Sequence, residues 1–154
     1  MKKNRPKSRN QMVAVDPAEL IALVGKLQDK KVVVIGDVML DVYVKGTVAR
    51  ISPEAPIPVV EINEKDRKMP GGAANVACNI TALGGASTII GVMGRDLAGR
   101  ELVQELKRRK VDTSGMLALA DRPTTEKTRV LAHTQQVVRI DREMKAPLDD
   151  RQQD

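Results

Sequence analysis

The sequence Met69-Pro70-Gly71-Gly72-Ala73-Ala74-Asn75-Val76-Ala77 places two adjacent glycines between a proline and a predicted helix. Glycine has no Cβ, so the backbone there accepts unusual dihedral angles and a ligand can approach it closely. The unpaired N–H groups of a first helical turn donate to oxygen-rich ligands, and Asn75 in that turn carries both a donor and an acceptor. The stretch therefore predicts either a polyol-binding helix start or only a tight turn into the helix.

Short apolar runs lie on both sides of this stretch. Residues 31–37 and 87–92 predict parallel strands, the first of them buried on both faces. The periodicity also predicts three helices, over 16–28, 71–83 and 97–110, and Asp96 is expected to cap the last. Asp37 ends the first strand. Ligands of open α/β sheets bind beyond the carboxyl ends of the strands, so Asp37 is a candidate binding residue.

Two further segments alternate polar and apolar residues. Between residues 41 and 69 the pattern predicts two short, half-exposed strands joined by a loop rich in proline. Three more strands are predicted, over 116–119, 125–132 and 136–142. Lys127 and Arg129 share one strand face, where they could either meet a substrate phosphate or form a solvated face. Arg139 and Asp141 share a face of the next strand and predict a structural ion pair.

The positive charge of the chain is concentrated at its beginning. The 154 residues carry a formal net charge of +6, and the first ten contain five basic residues without an acid: Lys2, Lys3, Arg5, Lys7 and Arg9. Aromatic residues make up 1% of the chain, which leaves no platform for stacking bases. Residues 1–15 are therefore predicted to be a disordered basic tail, with no nucleic-acid partner.

Other compositional features limit the class of protein. One cysteine excludes an internal disulfide framework. No stretch is long and apolar enough for a membrane span, and the apolar run after the basic tail is too short for a signal peptide. A cytoplasmic protein without a membrane partner is expected.

Four pieces of the sequence, taken in order, resemble the ribokinase-like (PfkB) family of sugar kinases. These pieces are Val34–Asp41, the double-glycine stretch, Gly91–Gly99 and the alternating strands after Thr124. Within the family, the sequence is most similar to kinases of D-glycero-β-D-manno-heptose 7-phosphate, over residues 37–41, 50–60, 128–131 and 135–141. The resemblance covers about residues 31–142.

The resemblance implies a fold and a domain boundary. It implies a doubly wound, three-layer αβα domain with a small β-sheet lid, formed by residues 41–69 and 116–142. Residues 16–154 would be the N-terminal part of this domain, incomplete at the C-terminus. Family members pair through their lids, so a homodimer is expected.

The resemblance also implies an activity. It implies ATP- and Mg²⁺-dependent phosphorylation of carbon 1 of the heptose 7-phosphate, a step toward ADP-heptose and the lipopolysaccharide core. Carried over by position, five residues would hold sugar hydroxyls: Asp37, Asp41, Gly71, Gly72 and Asn75. Another ribokinase-like kinase, for ribose, fructose 1-phosphate or a nucleoside, and a non-catalytic sugar-binding module are the alternatives.

One family motif does not occur in this sequence. Phosphoryl transfer depends on positioning and on neutralising charge, and the family uses a Gly-Ala-Gly-Asp motif for the anion hole and the aspartate base. Gly94-Arg95-Asp96 is only superficially similar, and no Walker loop is present. We therefore expect a sugar-binding half without the catalytic aspartate, a metal site or the nucleotide half, inactive alone and prone to association through uncovered apolar surface.

Overall fold

The computed structural model describes residues 16–149, which form two β-sheets and three helices. In chain order the elements are α1 (Pro17–Gly25), β1 (Lys31–Ile35), β2 (Val38–Ile51), β3 (Pro58–Ile62), β4 (Arg67–Gly72), α2 (Ala73–Ala82), β5 (Ala86–Gly94), α3 (Leu97–Arg108), β6 (Asp112–Leu119), β7 (Glu126–Ala132) and β8 (Gln135–Arg142). The predicted basic tail, residues 1–15, lies outside the described residues.

Three parallel strands form the first sheet, in the order β1–β5–β6. Helices α2 and α3 pack on one of its faces, where Ala77, Ile89, Leu102 and Leu106 are fully buried. Burial of these aliphatic side chains supplies the main stabilisation of the fold.

The other face of the parallel sheet is open in the described part of the chain. Val33, Ile35, Ile90 and Leu117 lie there with between 40% and 74% of their surface exposed. The prediction that β1 is buried on both faces is therefore wrong here. The strand lies at the sheet edge. Its apolar composition would allow helices to cover both faces, but only one face is covered by the described residues.

The second sheet, called here the mixed sheet, has five strands in the order β3–β2–β7–β8, with β4 also paired to β2. The long strand β2 connects it to the core: its first residues Val38, Leu40 and Val42 are buried. It pairs antiparallel with β4 over Val38–Tyr43 and parallel with β7 over Leu40–Gly46. Residues 41–69 and 125–142 therefore contribute strands to the same sheet.

Strand β6 differs from the sequence prediction. It pairs in parallel with β5, including Leu117 with Val92, and so belongs to the parallel sheet. The segment 116–142, predicted as a single part of the lid, is thus divided between the two sheets. The apolar run at its beginning extends the core because the central strand β5 has a free edge there.

Strand β4 was not predicted, and it contains the double glycine. Proline and glycine are poor strand formers, but Gly71 pairs with Met39 across the sheet. The helix consequently begins at Ala73 instead of Gly71. Gly72 is the N-cap residue, at φ +58° and ψ −133°.

Candidate functional site

A cleft of about 440 Å³ opens beyond the carboxyl end of β1. Asp37, Val38, Met39 and Val92 line it, together with Arg122, Pro123 and Thr125, which are called here the Arg122–Thr125 wall. Residues 143–148 complete the lining. The cleft lies where ligands of parallel α/β sheets bind, and of the predicted sugar-binding residues Asp37 is the one that lines it.

The double glycine lies directly beside Asp37. The amide of Ala73 donates a hydrogen bond of 2.9 Å to the main-chain carbonyl oxygen of Asp37. A Cβ on Gly72 would lie 2.5 Å from that same oxygen, and a Cβ on Gly71 would collide with the Asp41 carboxylate. Gly72 therefore allows a close backbone approach between the start of β2 and the start of α2, whereas Gly71 leaves room for the Asp41 side chain.

Asp41 and Arg129 form an ion pair across β2 and β7. Arg129 Nη1 donates to Asp41 Oδ1 at 2.5 Å, and the two side chains are 22% and 17% exposed. The Arg129 guanidinium also lies 5.4 Å from the centroid of the Tyr43 ring, in cation–π contact. One of the two cations predicted to meet a phosphate is thus paired within the protein.

Lys127, the second of these cations, is held by two carboxylates. Its Nζ donates to Asp141 at 3.1 Å and to Glu143 at 3.0 Å. Hydrogen bonds to Glu143 and Asp141 raise the pKa of the Lys127 amine, and the bond from Lys127 lowers the pKa of Glu143. Glu143 also lines the cleft, so this network reaches its edge.

Arg139 and Asp141 form the pair that the strand pattern predicts. Arg139 donates from Nε at 2.8 Å and from Nη2 at 2.9 Å to the two carboxylate oxygens. These bonds, together with those from Lys127, lower the pKa of Asp141. Both residues lie on the exposed strand β8, and neither of them lines the cleft itself.

Asn75 is separated from the other predicted residues. It is exposed on α2 and lines a different depression, together with Met69, Cys78 and Arg109. Positions 75, 78 and 79 share one face of the helix, which turns Asn75 away from the Asp37 cleft. Burial raises the pKa of the Cys78 thiol in the same depression. This geometry does not support the prediction that Asp37 and Asn75 bind the same sugar.

Sequence reasoning missed the wall formed by residues 122–125. Arg122 lines the cleft, and its Nη2 donates to the carbonyl oxygens of Met144 and Ala146 at 3.2 and 3.3 Å. These bonds connect residues 144–146 of the cleft lining to the Arg122–Thr125 wall. The only local signal is a basic residue followed by proline in a predicted loop, which by itself indicates no partner.

Asp96 caps α3 as predicted and has an additional partner. Its Oδ1 accepts from the Gly99 amide at 2.9 Å and from Thr124 Oγ1 at 2.7 Å, and its Oδ2 accepts from the Thr124 amide at 2.9 Å. Burial opposes ionisation here, but the hydrogen bonds from Thr124 and Gly99 outweigh it and lower the pKa of Asp96.

Two kinds of feature are absent from the described residues: a grouping of three metal-binding side chains and a membrane-spanning helix. Within residues 16–149, no three His, Cys, Asp or Glu side chains are grouped so that they could hold a metal ion. No helix in the same range has the length and apolar character needed to cross a membrane.

Comparison with known proteins identifies the family. Residues 29–154 match the family described as pfkB family carbohydrate kinase. The chain belongs to the PfkB family. The bifunctional protein HldE of Helicobacter pylori strain J99 is 50% identical to this PfkB chain over 119 residues, which are 77% of the chain and 26% of HldE. The chain thus spans about a quarter of the length of this curated relative.

Two solved structures have a similar fold. Arabidopsis thaliana ribokinase, complexed with ribose and ATP, has a TM-score of 0.57 at 19% identity and matches 74% of this chain and 36% of its own. A sugar kinase from Pyrococcus horikoshii in complex with ATP has a TM-score of 0.52 at 26% identity, over 71% of this chain and 33% of its own. The predicted ribokinase-like α/β fold is confirmed.

Proposed function

We propose that this PfkB chain carries the sugar-binding part of an ATP-dependent carbohydrate kinase. The observation that carries the proposal is Asp37, exposed at the end of β1 beside the double-glycine turn and lining a cleft of about 440 Å³. An ionised carboxylate accepts hydrogen bonds from sugar hydroxyls, and first-turn amides of a helix complement it as donors. Asp41, Gly71 and Gly72 support this arrangement from the adjoining strands.

The acceptor we infer is D-glycero-β-D-manno-heptose 7-phosphate, phosphorylated at carbon 1 on the route to ADP-heptose and the lipopolysaccharide core. The resemblance of residues 37–41, 50–60, 128–131 and 135–141 to heptose kinases supports this substrate, as does the 50% identity to HldE. A phosphate dianion would compete with Glu143 for Lys127, because charge-assisted bonds to phosphate are strong.

ATP is the proposed phosphoryl donor, with Mg²⁺ as its counter-ion. The ATP complex of the Pyrococcus horikoshii sugar kinase supports this donor. The part that we propose for the described residues 16–149 is to bind and orient the sugar. Orientation alone accounts for a large part of catalysis in phosphoryl transfer.

Two properties of the whole enzyme belong to the same proposal. We infer a cytoplasmic enzyme that forms a homodimer through the mixed sheet. Strand β8 is an outer strand of that sheet, and all its residues are exposed. An exposed strand edge with apolar side chains such as Val138 and Ile140 favours pairing with a second copy.

Isothermal titration of the chain with the heptose 7-phosphate tests the proposed site. Asp37→Asn keeps the size of the side chain but removes its charge, and we expect a dissociation constant at least about tenfold higher. The matched control is Asp112→Asn, whose carboxylate bonds Ser114 and Thr88 at the opposite end of the parallel sheet. Equal affinity of wild type and Asp37→Asn would contradict the site.

An unphosphorylated acceptor, such as ribose, is the second candidate. The structural pairing of Lys127 and Arg129 with carboxylates favours it, since neither cation needs a phosphate partner. Lys127→Ala separates the two candidates. If the heptose 7-phosphate is the acceptor, its affinity falls several-fold in this variant but not in Lys107→Ala, a control on the last turn of α3. Unchanged affinity in Lys127→Ala would refute the phosphate assignment.

A further inference from the structure

Four residues, of which Asp96 is partly exposed and the other three are buried, form a junction between the parallel sheet and the mixed sheet, called here the latch: Gly94, Asp96, Gly99 and Thr124. Thr124 is completely buried. Its hydroxyl accepts from the Gly94 amide at 2.9 Å and donates to Asp96 Oδ1 at 2.7 Å. The Thr124 amide donates to Asp96 Oδ2 at 2.9 Å. The end of β5 and the start of α3 are thereby both hydrogen-bonded to a single residue, which lies 30 positions after Gly94 and 28 after Asp96.

The latch is packed without spare room. A Cβ on Gly94 would lie 2.6 Å from the carbonyl oxygen of Arg122 and from the Thr124 amide nitrogen. A Cβ on Gly99 would lie 2.5 Å from the Gly94 carbonyl oxygen and 2.8 Å from the Thr124 hydroxyl. Both glycines therefore allow backbone and hydroxyl to approach closely, and the position of Thr124 is fixed from several sides.

The latch is connected to the cleft through its neighbours in sequence. Arg122, Pro123 and Thr125 all line the cleft, while Thr124 between them points into the latch. The Thr125 carbonyl oxygen accepts from the Leu40 amide at 2.9 Å, which joins this wall to β2. Arg122 in turn holds the main chain at Met144 and Ala146. The position of the buried Thr124 therefore affects residues 122–125 directly and residues 144–146 through Arg122.

We propose that Asp96 and Thr124 are positioning residues for ligand binding, which hold the Arg122–Thr125 wall at the distance from Asp37 that a sugar phosphate requires. This inference rests on the proposed sugar-binding function. Neither side chain lines the cleft. Each acts through the wall, because small displacements of residues that hold a ligand reduce affinity strongly.

The test compares Thr124→Val with Thr124→Ser. Valine has the shape of threonine but lacks the hydroxyl, whereas serine keeps the hydroxyl. We expect the dissociation constant for the heptose 7-phosphate, measured by titration calorimetry, to rise about tenfold in Thr124→Val and to stay within about twofold of wild type in Thr124→Ser. The control is Thr88→Val, which removes an exposed hydroxyl bonded to Asp112 at the other end of β5.

A second variant covers the case in which Thr124→Val does not fold. Asp96→Asn keeps the size of the side chain and the acceptor for Gly99, but places an amide donor opposite the Thr124 amide. We expect the same rise in dissociation constant, with thermal unfolding still cooperative. Wild-type affinity in a folded Thr124→Val or Asp96→Asn protein would overturn the inference while leaving the proposed function in place.

Amide hydrogen exchange decides the inference even if the wild-type chain binds no sugar phosphate, an outcome that would count against the proposed function alone. In Thr124→Val we expect faster exchange at Gly94 and at Leu40, whose acceptor is Thr125. We expect no change at Gly36, whose amide donates to Ile90 at 3.2 Å in the parallel sheet. Unchanged exchange at Leu40, or an equal increase at all three amides, would refute a positioning role.

Discussion

At the scale of single residues, the backbone of Gly72 sets the geometry beside Asp37. Its φ of +58° with ψ of −133° is a conformation that residues with a Cβ rarely adopt. The adjacent carbonyl oxygen of Asp37 also leaves no space for a side chain. The sequence predicts an unusual backbone conformation here. It does not indicate whether a ligand or another part of the protein fills the space left by the missing Cβ.

Gly72→Ala is therefore expected to lower the free energy of unfolding by about 1–3 kcal/mol. Gly25→Ala is a suitable control, because a Cβ at that position meets nothing within 4 Å. It lies at the end of α1 and should be neutral or stabilising by up to about 1 kcal/mol. Urea unfolding measures both. A Gly72→Ala protein as stable as Gly25→Ala would show that the backbone at the strand end is not constrained.

The Asp41–Arg129 pair is the second residue-scale feature, and we expect it to contribute to stability. A double-mutant cycle with Asp41→Asn and Arg129→Gln should give a coupling energy of about 0.5–3 kcal/mol, because the two side chains are mostly shielded from solvent. The pair Lys45–Glu64 is separated by 3.8 Å with side chains 45% and 61% exposed, and its coupling should be near zero. Equal coupling in the two cycles would contradict a specific role for Asp41–Arg129.

At the scale of elements, strands β7 and β8 are joined by alternating charges. Arg139 and Lys127 lower the pKa of Asp141, and Lys127 lowers the pKa of Glu143. A carboxyl group with a lowered folded-state pKa stabilises the fold at pH values above its ordinary pKa. That contribution is lost as the pH falls through about 4 and below, when the carboxylates become protonated.

The thermal midpoint should therefore decrease as the pH is lowered from about 5 to about 3. Asp141→Asn should show a shallower decrease, since one of the titrating groups is gone, and 1 M salt should weaken the difference because the residue is exposed. Differential scanning calorimetry across this pH range measures it. Identical pH profiles for wild type and Asp141→Asn would mean that the network adds nothing to stability.

Elements whose signals are local are predictable from the sequence. Asp16 and Asp96 accept from amides two and three residues ahead, so the sequence near each helix start contains the cap. Strand β4 has no such signal, because pairing with β2 overrides the low strand propensity of Pro70 and the two glycines. The hydrogen bond between Asp96 and Thr124 likewise cannot be predicted from the local sequence, since the two residues are 28 positions apart.

At the scale of the whole molecule, the open face of the parallel sheet dominates the expected behaviour in solution. The sequence correctly predicts apolar strands, but it cannot tell which strand faces are covered, because that depends on elements distant in the chain. A contiguous exposed apolar surface favours association. The side chain of Ile35, 74% exposed, is the most accessible residue of this face.

We expect the chain to associate in a concentration-dependent manner, as measured by multi-angle light scattering. Ile35→Lys should shift the mass distribution toward the monomer, since a charge would be desolvated on association. Ile57→Lys is the control, because Ile57 is 57% exposed in the loop before β3. A wild-type chain that is monodisperse, monomeric and cooperatively melting would contradict this expectation.

We expect a sugar phosphate to bind where β1 ends, between Asp37 and the double-glycine turn. Titration of the ¹⁵N-labelled chain with D-glycero-β-D-manno-heptose 7-phosphate, followed by amide chemical shifts, tests it most directly. We predict saturable shifts at Asp37, at Gly71 to Ala73 and at Thr125. Saturable shifts confined to the Asn75 depression, or no shifts while the protein remains folded, would contradict the claim.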